Sequence, residues 1–310
     1  MTVEQSPDGP TRPQQTIASS TRLSGPGLHT GAECTLTISP LPEESGVQIL
    51  LPGLKSPFPA TIEYQQDLLR CTALGVDGLR VLTVEHVLSA LAGCEIDNCL
   101  LTIEGGETPA LDGSAAPLVA AILEMGIVEQ AAQQKVVWIE RPIWVEDAES
   151  HIMALPSNEL RVTCGIDFDH PVLGQQIYSE VLTGPVYRRD ISPARTFGFL
   201  HEVEALRASG RALGGTQENA VVIGDHGYLS RLRFPDECVR HKVLDLVGDL
   251  ALLGRPLRAH LVAFRTSHRL NARLVRKILD AQASDLGTTS SEHETLSSEH
   301  ETLSSAMRRN

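Results

Sequence analysis

Aromatic residues are scarce in this 310-residue chain, at 4%, so its interior must be packed mainly by aliphatic side chains. Cationic residues are outnumbered, giving a formal charge of -13. That excludes a binder of nucleic-acid backbones, whose affinity rests on clustered Lys and Arg, and any anionic substrate must meet positive charge locally. The six cysteines (Cys34, Cys71, Cys94, Cys99, Cys164 and Cys238) form no CxxC pair and no dense framework, so they read as reduced core thiols of a cytoplasmic protein. The opening MTVEQSPDGPTRPQQ has no basic stretch followed by an apolar run, which gives no support to a secretory signal. The longest apolar tract, Ala115 to Val128, is interrupted by Glu124 and is shorter than the roughly 20 residues needed to span a bilayer. No transmembrane segment and no obligate protein partner are expected. A serine hydrolase is poorly supported, because no G-x-S-x-G occurs.

What is present is an ordinary globular composition, 42% apolar and 21% charged, in a chain long enough for two medium domains. Residues 1–13 are polar and Pro-rich, an expected flexible arm. Strand-like runs follow at 33–39, 46–51 and 60–64, separated by Pro and Gly turns. Thr83 is the expected N-cap of a helix with an apolar stripe of Val84, Val87, Leu88 and Leu91, ended by Gly93. A strand at 98–104 and a helix capped by Ser114 and running to Met125 complete the first half. The second half repeats the plan: strands in VVWIERPIWV, an alternating run from Leu160 to Phe168, a helix near Phe199 to Ala208, a strand at 220–225, a helix opened by Pro235, a strand at 258–264 and a helix from Leu270 to Leu279. The expected fold is α+β: two related two-layer α/β sandwich domains, 14–135 and 136–283. Residues 284–310 carry SEHETLS twice in succession, a low-complexity tail with no core residues.

The helix opened by Pro235 carries an unusual stripe. In HKVLDLVGD, His241, Asp245 and Asp249 stand four residues apart, and four residues advance a helix by about 400°, so the three share one face. A solvated face is the ordinary meaning of such a stripe, but exposed faces favour Lys, Glu, Gln and Arg. Here the residues are ligand and proton-handling types. His241 and Asp245 at i and i+4 reach one metal ion, while a catalytic zinc generally takes three protein ligands and keeps one position open. TVEH offers Glu85 beside His86 at a helix start; taken alone the pair reads as structural or solvated, and its value comes from the combination with His241 and Asp245. His268, in FRTSHRLN, either caps a helix turn or, with one nitrogen held by Asp249, serves as a general acid.

TVEHVLSALAG, ALDGSAAP, ARTFGF, RHKVLDLVGDLALLG and SHRLNARL, with the early GPGLHTG, resemble in order the UDP-3-O-acyl-N-acetylglucosamine deacetylase family of lipid A biosynthesis, over about residues 14 to 280. The resemblance implies an active site between two α/β sandwiches, a Zn2+ cofactor with Fe2+ as the alternative, and hydrolysis of the 2-acetamido group of an acylated UDP-amino-sugar. Residue by residue, it implies His86, His241 and Asp245 as metal ligands, Glu85 as base, Thr196 for the oxyanion, and His268 with Asp249 as proton donor to the leaving amine. It further implies Lys242 and Arg265 near the nucleotide-sugar, Phe197 as a substrate-binding residue, and Leu200, Val203, Leu206 and Ala220 along the substrate's acyl passage. Ser267 stands where many members have Gly, Arg265 replaces a common Lys, and Gln217 takes an acyl-passage position that is often aromatic. The alternatives are a zinc deacetylase of another amino sugar and a non-catalytic zinc-binding protein. Structural zinc sites are usually closed by four ligands rich in Cys, and here the cysteines lie off the motifs.

Overall fold

The computed structural model describes residues 11–67 and 70–284. Its two five-stranded sheets have the same topology. The first runs in the order Thr21–Pro26, Glu33–Pro40, Cys99–Glu104, Val47–Leu50, Phe58–Pro59. The second runs Ile143–Asp147, Ser150–Leu155, His260–Phe264, Arg161–Asp167, Gln175–Val181. In each, the central strand is the last in sequence. Cys99–Glu104 is antiparallel to Glu33–Pro40 and parallel to Val47–Leu50, and His260–Phe264 is likewise antiparallel to Ser150–Leu155 and parallel to Arg161–Asp167. A parallel neighbour requires a crossover connection. The crossover contains the Glu85–Gly93 helix in the first half and the Glu237–Leu250 helix in the second. A further helix follows each central strand, Ala116–Met125 and 268–284. The fold is therefore α+β with two related halves.

Alternation sets which face of each sheet is buried. Cys34, Leu36 and Ile38 are buried along one strand, and Val162, Cys164 and Ile166 along its counterpart. Pro13–Ile17 pairs with Ile127–Gln133 and closes the first half, whereas Val137–Trp138 pairs with Leu257–Arg258 and belongs to the second. On this pairing we propose the domain limits as 14–135 and 136–283. The two crossover helices pack on each other, and at Gly248 their backbones come close: a Cβ there would lie 2.0 Å from the Glu85 carbonyl oxygen. Only glycine permits that contact.

Several local expectations change. Residues 60–64 are not a strand, since Ile62–Tyr64 forms a 3-10 turn closed by Tyr64 N–H on the Thr61 carbonyl at 3.1 Å. Thr83 does not cap its helix. It is left-handed, with φ 60°, and its hydroxyl donates instead to Glu107 Oε1 at 2.9 Å, so Val84 occupies the cap position without a side-chain bond. Ala115, not Ser114, is the N-cap of the second helix, although the Ser114 hydroxyl accepts from Ala116 N–H at 3.2 Å. The last helix begins at His268, two residues before the expected Leu270. Within the expected arm, Pro13 is already in a strand and Arg12 Nη1 lies 2.7 Å from Asp97 Oδ2. Residues 1–10 of the arm and the repeat beyond Ser284 lie outside the described residues.

Candidate active site

The stripe in HKVLDLVGD is buried. His241, Asp245 and Asp249 are 3%, 5% and 1% exposed, because the face they share is covered by the first half, and this removes the solvated-face reading. His86, in the first turn of the opposing helix, completes a group with His241 and Asp245 whose donor atoms all lie within 4.8 Å of one another. Asp245 Oδ1 is 3.3 Å from His241 Nε2 and 3.8 Å from His86 Nε2. Two atoms bound to one ion at about 2.0–2.1 Å are at most about 4.2 Å apart, so both distances suit a shared cation.

The chemical state of the donors suits it too. Burial, with the neighbouring His241, pushes His86 down to about 3, and burial lowers His241 despite Asp245. Both imidazoles are neutral near neutral pH, the form in which a histidine can bind a metal. His241 Nδ1 lies 3.0 Å from the Ala194 carbonyl, a bond that places the proton on Nδ1 and leaves the Nε2 lone pair toward Asp245. Burial would raise Asp245, but Lys242, His241, His268 and His86 outweigh it and hold its carboxyl below the usual range. Two neutral nitrogens and one carboxylate oxygen fit a divalent transition metal such as zinc or iron.

A second carboxylate and a second imidazole stand beside this group. Glu85 is 3% exposed, with Oε2 accepting from Thr72 N–H at 3.0 Å and Oε1 4.0 Å from His268 Nε2. Burial, partly offset by His268, pushes Glu85 up to about 8, and a divalent cation nearby would favour its ionised form. His268 opens the last helix, and its Nδ1 lies 2.8 Å from Asp249 Oδ2. Burial lowers its proton affinity, but the charge and hydrogen bond of Asp249, with Glu85 and Asp245 behind, prevail and raise it to about 9. Ser267 caps this helix by accepting from Leu270 N–H at 3.3 Å.

The other expected residues divide. Thr196 leads into the Phe197–Phe199 strand two residues after Ala194, and the Phe197 ring lies 6.4 Å from that of His241, edge to face. Leu200, Val203 and Leu206 lie on the Leu200–Ala208 helix, none of whose residues is buried. That helix is tied to the first half by Arg70, whose two guanidinium nitrogens each lie 3.0 Å from Glu202. Ala220 is half-buried at the start of the adjoining strand. Lys242 is turned to the metal group, with Nζ 2.8 Å from Asp245 Oδ2. Arg265, by contrast, is exposed and reaches Glu149 at 2.6 Å.

Sequence reading missed the residues that hold these groups. Thr72 reaches Glu85, Asp249 and His268. Asn271 Nδ2 donates to Asp249 Oδ2 at 2.8 Å. Glu107, wholly buried, accepts from the backbone of His29 and Thr30 and from both threonine hydroxyls, Thr30 and Thr83, so it anchors the GPGLHTG loop to the residue preceding Val84 and Glu85. Arg195 Nε lies 2.9 Å from Glu237 Oε1 in a buried ion pair. A capping-box or periodicity pattern signals none of these. Each is a contact between distant segments.

A buried two-His, one-Asp group flanked by a second carboxylate and a protonatable imidazole defines the class of metal-dependent hydrolases. A sequence profile of the family UDP-3-O-acyl N-acetylglycosamine deacetylase matches residues 14–280. The chain belongs to that family, a family of metalloenzymes. It is 44% identical over 270 residues to the UDP-3-O-acyl-N-acetylglucosamine deacetylase of Myxococcus xanthus, covering 86% of both chains. It is 43% identical over 276 residues to the protein of that name from Trichormus variabilis, covering 86% of this chain and 98% of the relative. With that of Shewanella violacea the identity is 40% over 289 residues, covering 91% and 94%. Among the described residues no helix is long and apolar enough to cross a membrane.

Proposed function

We propose that this protein removes the acetyl group from the 2-acetamido position of a UDP-3-O-acyl-N-acetylglucosamine, releasing acetate and a free amine. The observation that carries the reading is the placement of Glu85 Oε1 and His268 Nε2 4.0 Å apart, beside a donor group fit for one cation. Hydrolysis of an amide needs one group to take a proton from water and another to give a proton to the amine, which cannot leave as an anion. Glu85 is the base and His268 the acid.

His86, His241 and Asp245 hold the cation, which we take to be Zn2+, with Fe2+ as the alternative. When bound, a divalent ion there supplies Lewis acidity that acidifies water and polarises a carbonyl. Glu85 accepts the proton of the attacking water through Oε1, because Oε2 is engaged by Thr72. The Thr196 hydroxyl donates to the oxygen on which negative charge develops. His268, protonated at Nε2 and steadied at Nδ1 by Asp249, protonates the nitrogen as the C–N bond breaks. Lys242 holds the second oxygen of Asp245 and leaves Oδ1 to the cation. Phe197, Leu200, Val203, Leu206 and Ala220, none of them buried, take the acyl chain. Arg265, whose Nη1 lies against Glu149 at the surface, is the basic contact for the nucleotide. The reaction takes place in the cytoplasm, in keeping with six free, buried cysteines.

The test is acetate release by purified protein of known metal content, from UDP-3-O-acyl-N-acetylglucosamine and from UDP-N-acetylglucosamine without the acyl chain. Turnover of the acylated substrate with about one metal per chain, much slower turnover of the other, and loss of both metal and activity in His241→Ala are expected. Equal rates on the two substrates would point instead to a deacetylase of a different amino sugar, and metal without turnover to a binding protein.

A further inference from the structure

Thr72 is fully buried and stands between the two halves of the site. Its backbone N–H donates to Glu85 Oε2 at 3.0 Å, and its carbonyl accepts from Val84 N–H at 3.2 Å. The residue is thereby locked to the start of the helix that carries Glu85 and His86. Its hydroxyl crosses to the second half, donating to Asp249 Oδ1 and standing 3.3 Å from His268 Nδ1. Asp249 Oδ2 is left to His268 Nδ1 and to the Asn271 amide, both at 2.8 Å.

We propose that Thr72 is a positioning residue that couples the base to the acid. Holding Glu85 Oε2 leaves Oε1 as the oxygen presented to the reaction space. Holding Asp249 Oδ1 fixes the plane of that carboxylate, so that Oδ2 meets Nδ1 and the imidazole presents Nε2. One residue thus sets the relation between two groups that sit on different halves of the chain, and the 4.0 Å between Glu85 Oε1 and His268 Nε2 depends on it. A hydroxyl is required because Asp249 is 1% exposed, and a buried carboxylate oxygen deprived of its donor turns toward another. Valine has nearly the same shape and no donor.

This inference rests on Glu85 and His268 acting as proposed above, and the experiment separates the two. Steady-state kinetics of the metal-loaded full chain are compared for the parent, Thr72→Val, Thr72→Ser, Asp249→Ala and the Thr72→Val/Asp249→Ala double variant, with Glu85→Ala and His268→Ala alongside. Thr72→Val is expected to lower kcat about 10- to 100-fold, as for other outer-shell partners, with KM within about twofold and metal content unchanged. Thr72→Ser, which keeps the hydroxyl, is expected within about threefold of the parent, and in the Asp249→Ala background the valine change is expected to cost less than about threefold. Where Thr72→Val does not fold, Thr72→Ala takes its place in the same cycle. A parental kcat in the valine variant, a serine variant as slow as valine, or an undiminished penalty without Asp249 would overturn the proposal. Parental rates in Glu85→Ala and His268→Ala would instead overturn the assignment of base and acid.

Discussion

His268 Nδ1 lies 2.8 Å from Asp249 Oδ2, a bond that joins the first turn of the last helix to the helix bearing His241 and Asp245. Asp249 is one turn beyond Asp245, so the same stripe that carries His241 and Asp245 also holds the His268 imidazole. The imidazole is held at one nitrogen and left with the other, Nε2, 4.0 Å from Glu85. Proton affinity follows from the same bond. Burial alone would lower His268, and Asp249 outweighs it to give about 9.

Asp249→Asn should therefore lower the pKa of His268. A histidine raised in the folded state from 6.5 to about 9 contributes stability that is fully present below about pH 6.5 and is lost as pH rises through about 9. The variant should be less stable than the parent chiefly at about pH 6, and the difference should shrink toward pH 9.5 and beyond. Urea unfolding of both proteins across that window is the measurement, and a difference constant with pH would count against the charge interaction. The basic limb of activity should move to lower pH in the same variant.

Gly248→Ala should separate the two crossover helices. The added Cβ would meet the Glu85 carbonyl oxygen at 2.0 Å and the Glu85 Cα at 3.0 Å, and both are backbone atoms that cannot turn aside. Overpacking of this kind costs about 1–3 kcal/mol or more, and because the displaced residue is Glu85, kcat should fall as well. The denaturation midpoint and kcat together check this, and a variant matching the parent in both would show that the helices tolerate the shift.

Glu237→Ala should leave Arg195 buried without its partner. The pair is 0% and 7% exposed at its side chains, and Glu237 also accepts the backbone N–H groups of Arg195 and Arg233. Removing one member of a buried pair costs about 3–5 kcal/mol. Ala194, the neighbour of Arg195, orients His241 through its carbonyl, so metal affinity should weaken along with stability. Calorimetry and metal titration of the variant give the two readouts, and unaltered metal affinity would show that the Ala194 carbonyl is held by other means.

Much of the scaffold is legible in the sequence because it depends on local period. The buried faces at Cys34, Leu36 and Ile38 and at Val162, Cys164 and Ile166 follow from alternation, and the shared face of His241, Asp245 and Asp249 follows from four-residue spacing. Thr83 and residues 60–64 mislead for different reasons. A distant partner, Glu107, takes the threonine hydroxyl, and a short apolar run closes as a turn beside Pro59. Thr72 gives no local signal, since its partners stand 13, 177 and 196 residues away. Lys242 and Arg265 are both basic positions in the sequence, and only their surroundings separate them: one meets Asp245 in the interior and the other Glu149 at the surface.

The division of labour between Glu85 and His268 is the central claim, and the most direct measurement is activity against pH for the metal-loaded parent, Glu85→Ala and His268→Ala, with metal content checked in each. The base must be ionised and the acid protonated, so the parent should give a bell-shaped profile. Glu85→Ala should lose the acidic limb and His268→Ala the basic limb, each with a rate loss of about a hundredfold or more. A basic limb unchanged in His268→Ala would contradict the account.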